Sequence, residues 1–277
     1  MSKQILLLLF VLLVSAVSRG QGQSANQLDV SSLLRDVEAR QKQNAAKAQP
    51  YSYTLKRTMQ DLNNKGEVKK EKVYIYQVFP IRQGLPAMLL LSEDGKPLSA
   101  EKLAKEKVKT NKYWQEHKND AAKNKPGEEF PLFTGLNHTF ARHDRYEGRD
   151  VVVLSFTPKA EHDAKTYDQK FVSGLKGELW IEPAEKAVVK FHAELTNVLR
   201  SGGLSGWLSS LRPGSALTID FMPISDGRWA AKRIESKSIS KFSGALFFQQ
   251  TAHSRLLDEI SDYHPFDPDT KDLFAKP

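Results

Sequence analysis

Hydrophobic and polar positions along the chain fall into two rhythms. From Leu28 to about Lys47 the apolar side chains follow a spacing of three and four (Val30, Leu33, Leu34, Val37, then Gln41), with Asn26 and Asp29 offering capping groups and Arg and Gln opposite. That predicts an amphipathic helix with one packed face. After Pro50 the period drops to two: Tyr51, Tyr53, Leu55 and Met59 alternate with Ser52, Thr54, Lys56 and Thr58. Asn63-Asn64-Lys65-Gly66 is a turn, and the segment ending at Phe79 completes a hairpin. A third apolar segment, Ala87 to Leu91, closes at Glu93-Asp94-Gly95.

Residues 99–125 read as a helix rich in charge, with eight lysines, four acids and an irregular apolar set of Leu103, Ala104, Val108, Trp114, Ala121 and Ala122. Such a helix is expected on the surface, ending before Pro126-Gly127. The rest is strand after strand. Phe140–Tyr146 turns at Glu147-Gly148 into Val151–Phe156. Gly177–Glu182 turns into a strand whose Val189, Phe191, Ala193 and Leu195 share one side and Lys190, His192 and Glu194 the other. Leu217, Ile219 and Phe221 repeat the alternation. Trp229–Phe242 and Gly244–Tyr263 form a long hairpin, with a bulge expected between Ile234 and Ile239 because their parity differs. Successive hairpins make an antiparallel meander whose apolar face must be buried, and the N-terminal helix and the segment after Leu199 are the available partners.

One further segment has helical spacing: Leu204, Trp207, Leu208 and Leu211, bounded by Gly202-Gly203 and Pro213-Gly214. It reads as a short helix that plugs the core, covers an apolar cavity as a lid, or touches a membrane. With Trp180 and Phe191 these four are the candidate positions for an apolar ligand.

The N-terminus sets the compartment. Lys3, ten apolar residues from Ile5 to Val14 and the small residues Ser15, Ala16, Ser18 and Gly20 follow the order of a secretory signal peptide. The apolar run is too short to span a bilayer, which takes roughly 20 residues. The expected division is a signal peptide over 1–20 and one domain over 21–277, with flexible ends at 21–27 and 264–277. Lys+Arg exceed Asp+Glu by 41 to 33, and loss of Lys3 and Arg19 lowers the formal +8 by two. That excess favours transient contact with anionic surfaces. The complete absence of cysteine excludes disulfides, thiolate metal sites and a Cys nucleophile.

Catalytic patterns are few. The seven histidines show no metal spacing, and Gly203-Leu204-Ser205-Gly206-Trp207 departs from a serine-hydrolase elbow at its fifth position, where glycine is required. Asp267–Asp272 has the oxygens of a calcium loop without its glycine or terminal glutamate, and a frayed tail is expected there. Asn137-His138-Thr139 is a formal glycosylation sequon. No nucleic-acid-binding motif is present in the sequence.

Tyr146-Glu147-Gly148-Arg149-Asp150 leading to Val151–Phe156 and Pro158, followed by Gly177-Glu178-Leu179-Trp180-Ile181-Glu182-Pro183, resembles the LolA/LolB-like superfamily of outer-membrane lipoprotein-sorting proteins. The resemblance covers roughly residues 28–263. It implies an α+β, mostly β fold: a curved, unclosed half-barrel with helices over its concave face. It also implies a periplasmic role in holding lipid or lipoprotein acyl chains; the lack of a catalytic constellation adds the expectation of a non-catalytic protein without cofactor. The lysine-rich helix at 99–125 departs from that pattern, and no arginine here matches the family's lid-locking residue. The alternative role is an envelope sensor or interaction module that binds a protein partner through a sheet edge or the lysine-rich helix.

Overall fold

The computed structural model describes residues 29–46, 50–81, 85–118, 135–159, 172–202, 208–243, 249–267 and 269–274. The expected signal peptide and leader, and with them Leu204, Ser205 and Trp207, lie outside the described residues. Helix α1 spans Val30–Ala46. Asp29 caps it through its side chain, which accepts from the Ser32 amide at 3.1 Å, and through its carbonyl, which accepts from the Leu33 amide. The strands β1 (Tyr51–Leu62), β2 (Val68–Phe79), β3 (Ala87–Glu93) and β4 (Lys96–Pro97) precede helix α2 (Ala100–His117). After it come β5 (Leu136–Tyr146), β6 (Arg149–Pro158), β7 (Leu175–Glu182), β8 (Ala187–Leu195), β9 (Leu199–Gly202), β10 (Leu208–Leu211), β11 (Ala216–Pro223), β12 (Trp229–Ser243) and β13 (Gln249–Pro265).

All described pairings are antiparallel, in the order β4-β3-β2-β1-β13-β12-β11-β8-β7-β6-β5, with β9 and β10 as a small flap on β12. The chain is therefore a meander whose two ends meet, β1 beside β13, and which stays open between β4 and β5. That gap is where the chain leaves the sheet to form α2. The expected unclosed sheet is thus present, and its seam lies at the lysine-rich insertion. Two-residue connections carry the tight turns: Glu147 (φ 50°) and Gly148 (φ 80°) join Tyr146 to its partner Arg149, the left-handed pair that a twisted hairpin favours.

Register partners share a face, so the pairing shows which side each helix covers. Val37 of α1 is fully buried in a cluster with Leu154, Phe156, Leu179, Phe191 and Leu195, with Val30, Leu33 and Leu34 packed against it. Trp114 of α2 is 1% exposed and packs instead on Phe79, Ala87 and Leu89 of β2 and β3. Leu89 pairs with Gln77 and its neighbour Met88 with Val78, and Met88 and Val78 belong to the cluster around Leu55 and Ile260. Followed across the sheet, the Leu55 face is that of α1. The two helices consequently lie on opposite faces: α1 covers the apolar face of the meander as expected, and the lysine-rich α2, expected on the surface, packs on the other face at β2 and β3. Each helix's period marks its own apolar stripe, but the face it meets is decided by strand register.

Three expectations change. Residues 208–211 are a strand, Leu211 opposite Leu199 and Ser240, and not the last turn of a helix. Four residues with two leucines three apart fit either period, and the free edges of β9 and β12 supply hydrogen bonds that a one-turn helix lacks. The bulge in β12 falls at Lys232, between the pairs Asp220/Arg233 and Phe221/Ala231. Ile234 and Ile239 differ in parity because they use opposite faces: Ile234 joins the Leu55 cluster, whereas the Ile239 amide donates to Ser215 Oγ at 2.9 Å. Finally, the C-terminal stretch is docked rather than frayed. Phe266, Leu273 and Phe274 pack around Trp114, the Leu273 amide donates to Asn111 Oδ1 at 3.2 Å, and Lys118 Nζ donates to the Thr270 carbonyl at 3.1 Å. Truncation after Asp267 should cost about 2 kcal/mol through lost burial of Leu273 and Phe274 and shift the tryptophan emission of Trp114 to the red. An unchanged melting curve would show the tail to be energetically idle.

Candidate functional site

The α1 face is organised as cross-strand rows. One runs Tyr74, Arg57, Asp258, Ile234, Ile219, Phe191, Leu179, Leu154 from β2 to β6. The next, two residues along, runs Met59, Leu256, Ser236, Leu217, Ala193, Gly177, Phe156. In the β6–β8 half these rows are buried under α1. Phe191 is 4% exposed, and its ring stacks on Phe156 with centroids 5.5 Å apart and planes 3° from parallel.

Toward β12 the cover thins. A cavity of about 100 Å³ opens there, lined by Leu175, Ala193, Leu195, Leu211 and Leu217, with Ser215, Ser236 and Ser238 on its β12 side. From it the second row continues through half-buried Leu256 to Met59, which is 48% exposed. With strands 4.7–4.9 Å apart, Ala193 to Met59 spans about 19 Å of sheet. The floor of this trough is aliphatic, with small serines where β12 crosses it.

Arg57 and Asp258 stand at the edge of the trough, inside the apolar phase of their strands. Arg57 Nε and Nη2 donate to the two Asp258 oxygens at 2.8 and 2.7 Å, a bidentate pair. The Asp258 side chain is only 8% exposed. The hydrogen bond to Asp258 holds the guanidinium's proton more tightly than usual, and burial raises the neighbouring Tyr53 and Tyr76 phenols. These groups therefore keep their charge states across the physiological range. His138, in the Phe156 row, has its imidazole pushed below its ordinary value by burial and then by Lys159.

Of the sequence candidates, Phe191 and Leu211 lie on the α1 face. Trp180 does not: it pairs with Lys190 and sits on the other side among Val151, Val153 and Val189, with the Lys190 ammonium 5.0 Å and the Arg142 guanidinium 5.8 Å from its ring. Leu208 stands opposite Ser243 in register. The Arg57–Asp258 pair was missed by the sequence reading, although its signal is present: an arginine in phase between Leu55 and Met59, and an aspartate in phase between Leu256 and Ile260. Among the described residues no three His, Asp or Glu side chains are grouped as metal ligands, and no helix is long and apolar enough to cross a membrane.

No family model matches this chain, and no curated protein sequence matches it. Among solved structures it is similar to a domain assigned to an outer membrane lipoprotein-sorting protein from Vibrio parahaemolyticus, with TM-score 0.35 and 11% identity, covering 83% of this chain and 91% of that one. It is also similar to a LolA superfamily protein from Nitrosomonas europaea, with TM-score 0.31 and 16% identity over 86% of this chain and 93% of the other. MucB, solved in complex with MucA(peri), gives TM-score 0.25 and 10% identity over 84% and 94%.

Proposed function

We propose that the protein is an exported, non-catalytic carrier that shields an aliphatic chain in the trough of the α1 face. The observation that supports this most directly is the row from Ala193 and Leu217 through Leu256 to Met59. It is an aliphatic strip, crossed by the small Ser236, that begins at a cavity and emerges from under α1 into solvent. Removing apolar surface from water drives such binding without directional chemistry, so a carrier for acyl chains needs shape and reach more than reactive groups. At about 100 Å³ the cavity is well under the 300–1,000 Å³ of a closed small-molecule pocket. The chain would lie along the open trough with one end in the cavity. Export follows from the N-terminal pattern of Lys3, the Ile5–Val14 run and its small-residue exit.

The alternative, a protein-interaction module working through a sheet edge, has β5 as its strand: eleven residues, mostly exposed, at the open seam. That edge is guarded. A register shift between Phe140 and Arg142 bends it, and Arg142, Asp144 and Arg145 charge it, the devices that discourage strand addition. The trough is the better-supported site.

Met59 provides the test. Met59→Glu places a charge on the trough, and Thr58→Glu places the same charge on the other face of β1. The first should weaken binding of a fluorescent long-chain fatty-acid probe about tenfold or more and the second should not; Met59→Glu, at an exposed position, should leave the melting temperature within about 2 °C, and Thr58→Glu, at a half-buried one, should lower it by more. Equal probe affinity in the two variants would refute the trough.

A further inference from the structure

A second cavity, of about 200 Å³, lies at the other end of the α1 face, where the last turns of the helix meet the β7–β8 and β11–β12 connections. Its floor is apolar: Val188 and Phe221 belong to the edge of the cluster under α1, and one side is closed by the half-buried Trp229, which also packs on the Val151–Trp180 cluster and has the Arg149 guanidinium 5.1 Å from its ring. Its rim is cationic, with Arg40 from α1, Lys186 from the β7–β8 turn and Arg228 from the β11–β12 turn, against Glu185 as the acid in the lining.

These cations differ in what already holds them. Arg228 is fixed: its Nε donates to Asp226 Oδ2 at 2.5 Å and its guanidinium sits 5.0 Å from the Tyr51 ring centroid. Lys186 pairs with Asp36 at 2.8 Å, but both side chains are half-exposed, so the pair is weak and exchangeable. Arg40 has no ion-pair or hydrogen-bond partner among the described residues. An apolar floor, a rigid cation, an exchangeable one and an unpartnered guanidinium together make a receptor for a group that is negative at one end and greasy at the other.

We propose that this cavity binds the carboxylate end of a single-chain aliphatic acid, with Arg40 as its principal anion contact and Val188, Phe221 and Trp229 against the first methylenes. The site is separate from the trough, at the far end of the core that α1 covers, so the inference goes beyond the carrier reading. The volume selects the occupant: it is below that of a drug-sized pocket, too small for a phospholipid headgroup with two chains and adequate for one carboxylate with a few methylenes. A planar guanidinium matches a carboxylate bidentately, which an ammonium cannot do.

Octanoate is the probe, read by calorimetry and by fluorescence of the full chain, with octanol and phosphatidylglycerol vesicles as comparisons. Octanoate should bind saturably and change the Trp229 signal, an effect lost in Trp229→Phe while calorimetric binding remains. Arg40→Gln, an exposed helix position that leaves folding intact, should weaken octanoate about tenfold or more, and Arg35→Gln on the same helix should not. Octanol should bind at least about tenfold more weakly than octanoate, and added salt should narrow the difference. Octanoate affinity unchanged by Arg40→Gln, octanol binding as tightly as octanoate, or binding to the vesicles without binding to octanoate would each overturn the site. Those failures leave the carrier reading standing if the long-chain probe still responds to Met59→Glu. A wild-type protein that binds neither octanoate nor the long-chain probe removes both.

Discussion

Gly177→Ala should destabilise the protein by at least about 4 kcal/mol, and Gly177→Val should prevent soluble folding, as measured by urea denaturation and by yield. A Cβ at this position would stand 1.9 Å from the His192 carbonyl oxygen, 2.9 Å from Ala193 Cα and 2.8 Å from Phe156 Cζ. The first two are backbone atoms of the paired strand β8 and cannot swing aside; relief needs the β7–β8 pairing to part. The third is the ring that covers the glycine and stacks on Phe191. Backbone strain is not the cause here, because what glycine supplies at 177 is room for close approach. A loss under about 1 kcal/mol in Gly177→Ala would mean that the strands do not approach this closely in solution. The glycine of the Gly177-Glu178-Leu179-Trp180-Ile181 motif thus has a physical reason of its own, independent of the family likeness that drew attention to it.

How much could be read from the sequence follows from what each signal depends on. The hairpins were legible because period two and the turn residues are local: Glu147-Gly148 and Asp94-Gly95 adopt the positive φ values that their sequence suggests. The first helix was legible for the same reason, its stripe and its Asp29 cap both lying within a few turns. Features that depend on which strand lies beside which were not legible. No local pattern says that β13 returns to pair with β1, and without that pairing Arg57 and Asp258 are two unrelated charges on distant strands. The same holds for Trp180 and Phe191. Each is an aromatic in an apolar strand, and only the register, Leu179 and not Trp180 opposite Phe191, separates them onto two faces. The tail was misread because Phe266, Leu273 and Phe274 have no period at all; their role exists only once Trp114 is in place to receive them.

Phe191→Ala tests the centre of the α1 face, and the expected loss is about 3–5 kcal/mol. The side chain lies between Leu179 and Ile219 in its row and against the Phe156 ring in the next, so truncation opens a void bordered by three strands that are held in register on both sides. Such a site collapses poorly, which puts the cost toward the upper part of that range. His192→Ala, one residue on, should cost less than about 1.5 kcal/mol. Its ring faces the opposite side, partly exposed, where Nδ1 meets Thr218 Oγ1 at 2.9 Å and Nε2 lies 3.7 Å from Glu194, so the hydrogen bond is exchanged largely for water. The contrast between neighbours carries the test, since a strand turned by one residue exchanges their roles. Equal losses would displace the register of β8 and, with it, the rows that place Ala193 and Leu217 at the head of the trough. If the contrast holds, the folded fraction of Phe191→Ala should also bind the long-chain probe with little change. Phe191 lies under α1, and the open part of the neighbouring row begins two strands away, at Ser236, and continues to Leu256 on the third.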